Sequence, residues 1–249
     1  MTTVTSMRGV ITVAVAMALG VTLSACGKNP RALRYKYRIT IAVRDGGQLL
    51  TASSVIGVRD AVSDGSMVGG FSNAVCGEAT ALRLRNGSFL FALFRGASDA
   101  RWPETKWPFS SPIWILRKRL GLDVSWPDDQ AGMTKLETQF NSGVTAILQA
   151  DELPELVAMK DTNSPLTMER ARPTSLPTYL GDDVKIESIT IQTTQDRITR
   201  GSMRTNFPWF YNRGEYLNDN GAIGPQSLLR TDQFVRCDLE YRLFPSWLR

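Results

Sequence analysis

Residues 34–44 have the sequence RYKYRITIAVR, and this stretch decides the expected fold. Aromatic and β-branched side chains alternate in it with polar or small ones, at Tyr35, Tyr37, Ile39, Ile41 and Val43. A period of two with these residue types is typical of a β-strand that has one buried face. The stretch therefore predicts a half-buried strand whose opposite face presents Arg34, Lys36 and Arg38 to solvent.

Turn signals follow this strand at short intervals. Asp45-Gly46-Gly47 separates it from a second predicted strand, Leu49–Arg59. Asn86-Gly87 separates a third predicted strand, Val75–Arg85, from a fourth, Phe89–Phe94. Such glycine-containing pairs favour the tight loops of β-hairpins. We therefore expect four antiparallel strands joined in a meander.

The second half of the chain has shorter patterns of the same kind. Its predicted strands are Gly143–Ala150, Leu156–Met159, Val184–Gln192, Thr205–Trp209 and Val235–Phe244, with one or two helical turns at Thr174–Leu180. The expected fold is mainly β: a single antiparallel β-rich domain over residues 34–249, either a sandwich or a partly open barrel, with minor helices.

A long loop rich in Trp and Pro interrupts this pattern at residues 97–130. The dipeptide Trp-Pro occurs there three times, and the segment contains Trp102, Trp107, Trp114 and Trp126. Proline cannot donate a hydrogen bond to a sheet, so an irregular backbone is expected. Because tryptophan is enriched at binding hot spots, these four residues are the candidate partner-binding site. The alternative is that the rings pack over the sheet as a lid.

The N-terminus has the pattern of an export signal. Val10–Leu23 is an apolar stretch of 14 residues, and a spanning helix needs about 20. The stretch runs into the sequence Leu23-Ser24-Ala25-Cys26, which resembles the lipobox of bacterial lipoproteins. The resemblance implies that residues 1–25 are a signal peptide, that Cys26 is lipidated and that 26–33 form a tether. A buried helix or an uncleaved anchor is the alternative.

The same resemblance implies a location in the cell envelope, anchored to a membrane and facing the periplasm. In that family, aspartate after the lipidated cysteine favours the inner membrane. The residue here is Gly27, which favours the outer membrane. The basic cluster next to the anchor then has an alternative role, which is contact with anionic head groups. Its members are Arg31, Arg34, Lys36 and Arg38.

Cysteine usage fits an oxidising compartment. The chain has three cysteines, so lipidation of Cys26 leaves Cys76 and Cys237. An even pair in an exported protein predicts a disulfide. Two separate buried thiols are the alternative.

Motifs for catalysis are missing from the sequence. Histidine is absent, which excludes Ser-His-Asp triads, Cys-His dyads and imidazole metal sites. No phosphate-binding loop, dinucleotide fingerprint or nucleophile elbow occurs. The adjacent acids Asp128-Asp129, Asp151-Glu152 and Asp182-Asp183 leave a carboxylate-only envelope hydrolase as the second hypothesis. Solvated turn residues are the simpler interpretation of these pairs.

We therefore predict a non-enzymatic lipoprotein with a binding or scaffolding role, and no cofactor or metal. Its expected partners are the membrane, through Cys26, and another envelope protein or a glycan. The net charge of +5 is spread along the chain, and no recognition motif favours nucleic acid.

A second resemblance is diffuse and covers about half of the mature chain. The stretches that support it are Ser53-Ser54-Val55, Gly77-Glu78-Ala79, Leu153–Val157, Asp161, Pro165, 176–187 and the segment from Thr194 to Trp209. They resemble an uncharacterised bacterial protein family. That family implies no activity and no catalytic residues.

Overall fold

The structure, a computed structural model, describes residues 31–63, 70–96, 113–119, 121, 130–207, 209 and 234–237. Its strands are β1 (Arg31–Asp45), β2 (Gln48–Ser63), β3 (Gly70–Glu78), β4 (Thr80–Arg83), β5 (Phe89–Gly96), β6 (Thr145–Ile147), β7 (Pro154–Met159), β8 (Met168–Ala171), β9 (Val184–Thr193) and β10 (Val235–Cys237). The α-helices are α1 (Ile113–Arg119), α2 (Gln130–Phe140), α3 (Leu176–Leu180) and α4 (Ser202–Asn206), and 3-10 turns lie at Ala150–Glu152, Pro165–Thr167 and Pro173–Ser175.

The longest feature is the β1–β2 hairpin. The two strands pair without interruption from Arg31 opposite Val62 to Asp45 opposite Gln48. Gly46 and Gly47 form the two-residue loop with φ angles of 55° and 85°, the left-handed conformation that such a loop requires. The predicted hairpin is confirmed. The strand begins at Arg31, so the last three residues of the predicted tether belong to β1.

A six-stranded antiparallel sheet forms around this hairpin. Its strand order is β10-β3-β2-β1-β9-β6. The odd-numbered residues of β1 from Leu33 to Val43 are buried on its inner face. Arg34, Lys36 and Arg38 lie on the outer face and are partly exposed, as the alternation predicts. β9 confirms the predicted strand at Val184–Gln192.

A second antiparallel sheet has the order β4-β5-β7-β8. The prediction of a single four-stranded meander was therefore wrong, because β4 and β5 leave the first sheet. The change of sheet follows Gly77, which has a φ of 155° and approaches β2 so closely that a Cβ would lie 3.2 Å from the Ile56 Cα. The Asn86-Gly87 turn between β4 and β5 forms as predicted. Neither sheet closes on itself among the described strands, so the β-rich fold class is confirmed as two open sheets.

Two apolar clusters hold the sheets. The first lies between them and includes Leu33, Ile41, Ile56, Leu90, Leu116, Leu136, Leu156 and Leu176. The second covers the opposite face of the four-stranded sheet and includes Phe89, Phe91, Val157, Met203, Phe207, Trp209 and Phe234. The central part of the four-stranded sheet is therefore covered on both faces, which explains why all six residues of β7 are buried.

Helix α2 covers the part of β1 that β9 does not reach. β9 pairs with β1 only from Tyr37 onward. Phe140 of α2 packs edge-on against Tyr35, with ring centroids 5.0 Å apart, and the Arg34 backbone N–H donates to Glu137 Oε1 over 3.0 Å. This helix was not predicted from the sequence.

Other elements correct the sequence predictions. The segment Thr205–Trp209 was predicted as a strand, but the chain forms α4 at Ser202–Asn206. The predicted strand at Gly143–Ala150 shortens to β6, and β8 was not predicted. Helical turns at 173–180 are confirmed. None of the helices in the described ranges has the length and hydropathy of a membrane-spanning helix.

Candidate functional site

The predicted lipidation and partner-binding residues fall mostly outside the described ranges. Cys26, Trp102, Trp107 and Trp126 are not among the described residues. Trp114 belongs to α1, but its side chain is outside the description. The candidate site within the described ranges is therefore the basic cluster of β1 and its surroundings.

Four cations lie together on the outer face of the six-stranded sheet, and we call them the cationic face: Arg34, Lys36 and Arg38 of β1 with Arg59 of β2. Arg34 lies directly opposite Arg59, and Lys36 opposite Gly57. Like charges on directly opposite residues of an antiparallel pair repel each other and destabilise it. The face therefore groups four basic side chains on two neighbouring strands.

Burial and charge lower two pKa values on this face. The pKa of Arg59 is lowered mainly by desolvation and secondly by the positive charge of Arg34. Desolvation is also the main reason that the pKa of Lys36 is lowered, and the negative charge of Asp196 partly offsets it. In both side chains, burial disfavours the charged form.

The turn after β9 supplies part of that opposite charge. Asp196 forms an ion pair with Arg38 and accepts a hydrogen bond from the Thr194 hydroxyl over 2.9 Å. The Lys36 Nζ donates to the backbone oxygens of Gln195 and Asp196 over 3.3 and 3.1 Å. Glu137 of α2 is a second carboxylate beside these cations, and it accepts the backbone N–H of Arg34.

A polar cleft of about 240 Å³ adjoins the cationic face. It is lined by Arg34, Tyr35, Lys36, Glu137, Asn141 and Gln195. Gln195 donates to the Asn141 side chain across the rim. Of the lining residues that the structure describes, Glu137 alone carries a carboxylate, and glycoside hydrolysis by carboxylates needs two.

The structure describes part of the acid pairs that were predicted as catalytic candidates. Asp182 and Asp183 are exposed in the turn before β9. Glu152 is buried, but it accepts the Gln149 backbone N–H over 3.0 Å and lies 3.1 Å from Arg119. Asp128-Asp129 lies outside the described ranges. Glu152 therefore has a structural position, at the 3-10 turn beside α1.

A buried carboxylate that the sequence did not single out is Glu78, at the end of β3. It is 2% exposed, and it accepts the backbone N–H groups of Gly201, Ser202 and Met203 over 2.5, 2.9 and 3.1 Å. The Ser202 hydroxyl donates to it over 2.5 Å. These donors form the N-terminus of α4, where a negative charge is favourable. Glu78 thus attaches α4 to the first sheet.

The two remaining cysteines lie opposite each other. β3 and β10 pair in a register that places Cys237 against Cys76, and Cys76 is disulfide-bonded. Directly opposite residues in antiparallel strands have Cα atoms about 4.5–5.5 Å apart, within the range that a disulfide spans. The partnership with Cys237 stays a prediction, which this register supports. Arg200 Nη2 lies 3.0 Å from Cys76 Sγ.

Neither metal-ligand geometry nor similarity to known proteins adds a further site. Within the ranges that the structure describes, no three Cys, Asp or Glu residues lie close enough to hold a metal ion. Comparisons of the chain with family models, with curated proteins and with solved structures found no match.

Proposed function

We propose that the chain is a lipid-anchored protein of the cell envelope that binds or scaffolds another envelope component and is not an enzyme. The observation that supports this most strongly is the sequence Leu23-Ser24-Ala25-Cys26 at the end of an apolar stretch. The lipidated residue would be Cys26, and the outer membrane is the favoured site because Gly27 follows it.

The position of β1 fits such an anchor. Arg31, the first residue of β1, lies five positions after Cys26 (31 − 26 = 5), so the connection has five residue steps. A fully extended chain spans at most about 3.6 Å per residue, so this linker reaches no more than about 18 Å. Lipidation at Cys26 would therefore hold the domain directly against the membrane.

The buried carboxylates favour a binding role over hydrolysis. Glu78 is surrounded by N–H and O–H donors, Glu152 is paired with Arg119, and Glu155 lies 2.5 Å from Arg170 Nε. Groups held in this way stabilise local structure and are poorly placed to exchange protons with a substrate. The proposed contact with a protein or glycan partner is the Trp/Pro-rich loop, through Trp102, Trp107, Trp114 and Trp126.

The Cys26→Ala variant, expressed with its signal sequence in a bacterial host, tests the anchor. We expect it to accumulate as a precursor that retains residues 1–25 and migrates more slowly than the processed protein. Cys237→Ala is the matched control, because it removes a cysteine and leaves the lipobox intact. Processing of Cys26→Ala at the same site as the unchanged protein would contradict the proposal.

The binding role needs a separate test. Replacing Trp102 and Trp107 together by alanine should reduce recovery of partners in a pull-down from native membranes and leave the melting temperature unchanged. Trp209→Ala is the control for a structural ring, since Trp209 is buried in the second cluster and its loss should lower the melting temperature. Equal falls in melting temperature for both variants would contradict a binding role for the loop.

A further inference from the structure

We propose that the disulfide of Cys76 is a redox-dependent strap, which holds β10 and Phe234 over the second apolar cluster and loosens this cover when it is reduced. Cys76 is disulfide-bonded. Cys237 is the expected partner, because the register of β3 and β10 places the two cysteines opposite each other. The inference thus assigns a conformational device to the bond that fastens the edge of the first sheet.

The strand that carries Cys237 is short and lies at an edge. β10 has three residues, and among the described strands it is the outermost of its sheet, next to β3. A two-stranded hairpin on its own is at best marginally stable in water, so three residue pairs hold such a strand weakly. With Cys237 as the partner, the covalent bond falls on the last of these three pairs and keeps β10 on β3.

The residue before β10 connects this strand to the second cluster. Phe234 is fully buried, and its ring lies edge-on to Phe91 with the centroids 5.4 Å apart. Its backbone oxygen accepts the Ala79 N–H over 2.7 Å. Because Cys237 follows Phe234 by three residues (237 − 234 = 3), a bond at Cys76 also fixes the ring that covers the outer face of the four-stranded sheet.

The bond is the part of this cover that responds to redox conditions. When it forms, the thiols of Cys76 and Cys237 lose two protons and two electrons, an S–S bond joins the sulfurs, and an external disulfide is reduced to two thiols. Disulfides persist in the oxidising cell envelope and are rare in the cytosol. In a chain that is exported, the cover is therefore loose before export and fixed after it. This last step alone rests on the proposed function.

The test uses residues 26–249 with Cys26→Ser, purified in the dithiol state and divided, so that one sample is oxidised with glutathione disulfide. Hydrogen exchange of the Ala79 amide reports on its bond to Phe234. We expect this amide to exchange at least about tenfold faster in the dithiol sample, and the amide of Ile41, at the centre of β1, to change less than about twofold. Two thiols that stay free after oxidation, equal Ala79 exchange in the two samples, or equal acceleration of Ala79 and Ile41 would overturn the proposal.

Cys237→Ser in the same chain is the matched control, because it cannot form the bond under either condition. Its Ala79 amide should exchange as fast as in the dithiol sample, with or without glutathione disulfide. Exchange as slow as in the oxidised sample would contradict the strap. Because the measurement needs neither the signal peptide nor a lipid, its failure leaves the Cys26→Ala result standing, and failure of lipidation leaves this result standing.

Discussion

The two sheets share antiparallel pairing, but they bury their residues in different ways. In β1 of the six-stranded sheet, Tyr35 and Tyr37 are buried, while Lys36 between them is partly exposed. In β7 of the four-stranded sheet all six residues are buried. The difference arises because Met203, Phe207, Trp209 and Phe234 cover the second sheet's outer face. The contrast between a partly exposed central strand and a fully buried one thus separates the two sheets.

Paired substitutions on the two outer faces should give the largest contrast. Phe91→Ala removes a fully buried ring from the second cluster and should lower the free energy of unfolding by about 3–5 kcal/mol. Thr40→Ala, at the centre of β1 on the partly exposed face, should lower it by less than about 1 kcal/mol. Denaturant titration of both variants measures the difference. Similar losses would contradict the difference in burial between Phe91 and Thr40.

The next contrast concerns Glu78, the side chain that attaches α4. Glu78→Gln replaces a charged acceptor of four hydrogen bonds by a neutral side chain of the same shape, and we expect a loss of about 1.5–3 kcal/mol. α4 should loosen, so oxidation of the buried Met203 by peroxide should accelerate. Glu169→Gln, at an exposed position of β8, is the control and should leave that oxidation rate unchanged. An unchanged rate in Glu78→Gln would show that Glu78 does not hold α4.

The smallest contrast is electrostatic and belongs to the exposed face. Glu187 accepts a hydrogen bond from Arg44 and forms an ion pair with it. Both interactions lower the pKa of Glu187 below its ordinary value of 4.5. Glu187 therefore stabilises the folded state fully above that ordinary pKa, and the contribution disappears as pH falls through the lowered pKa. Glu187→Gln should reduce stability at neutral pH, by an amount that shrinks on acidification. If the stability difference between Glu187→Gln and the unchanged protein is the same at neutral and acidic pH, the pairing of Glu187 with Arg44 is contradicted.

The sequence predicts local features of this molecule well. The hairpin is predicted by the alternation of apolar and polar residues at 34–44 and by the Gly46-Gly47 loop that follows. Both signals are local, because they lie within a few residues of each other. The partly exposed position of Arg34, Lys36 and Arg38 follows from the same alternation. The pairing of Arg34 with Arg59 could not be predicted, because it requires the register of the hairpin.

The features that were missed depend on distant parts of the chain. Glu78 meets its partner Gly201 across 123 residues, and no local pattern indicates that the strand after it joins another sheet. Among the side chains of α2 that the structure describes, the buried apolar ones are Leu136 and Phe140, which are too few for a clear helical period in the sequence. The residues that carry the proposed anchor and the Trp/Pro-rich loop were predicted from motifs alone.

The measurement that tests the central claim most directly is the mass of the N-terminal peptide of the protein isolated from its own membrane. The account predicts a peptide that begins at Cys26 and carries the added mass of a lipid on that residue. A peptide that begins at Met1, or one in which Cys26 is unmodified, would contradict the anchor and with it the proposed function.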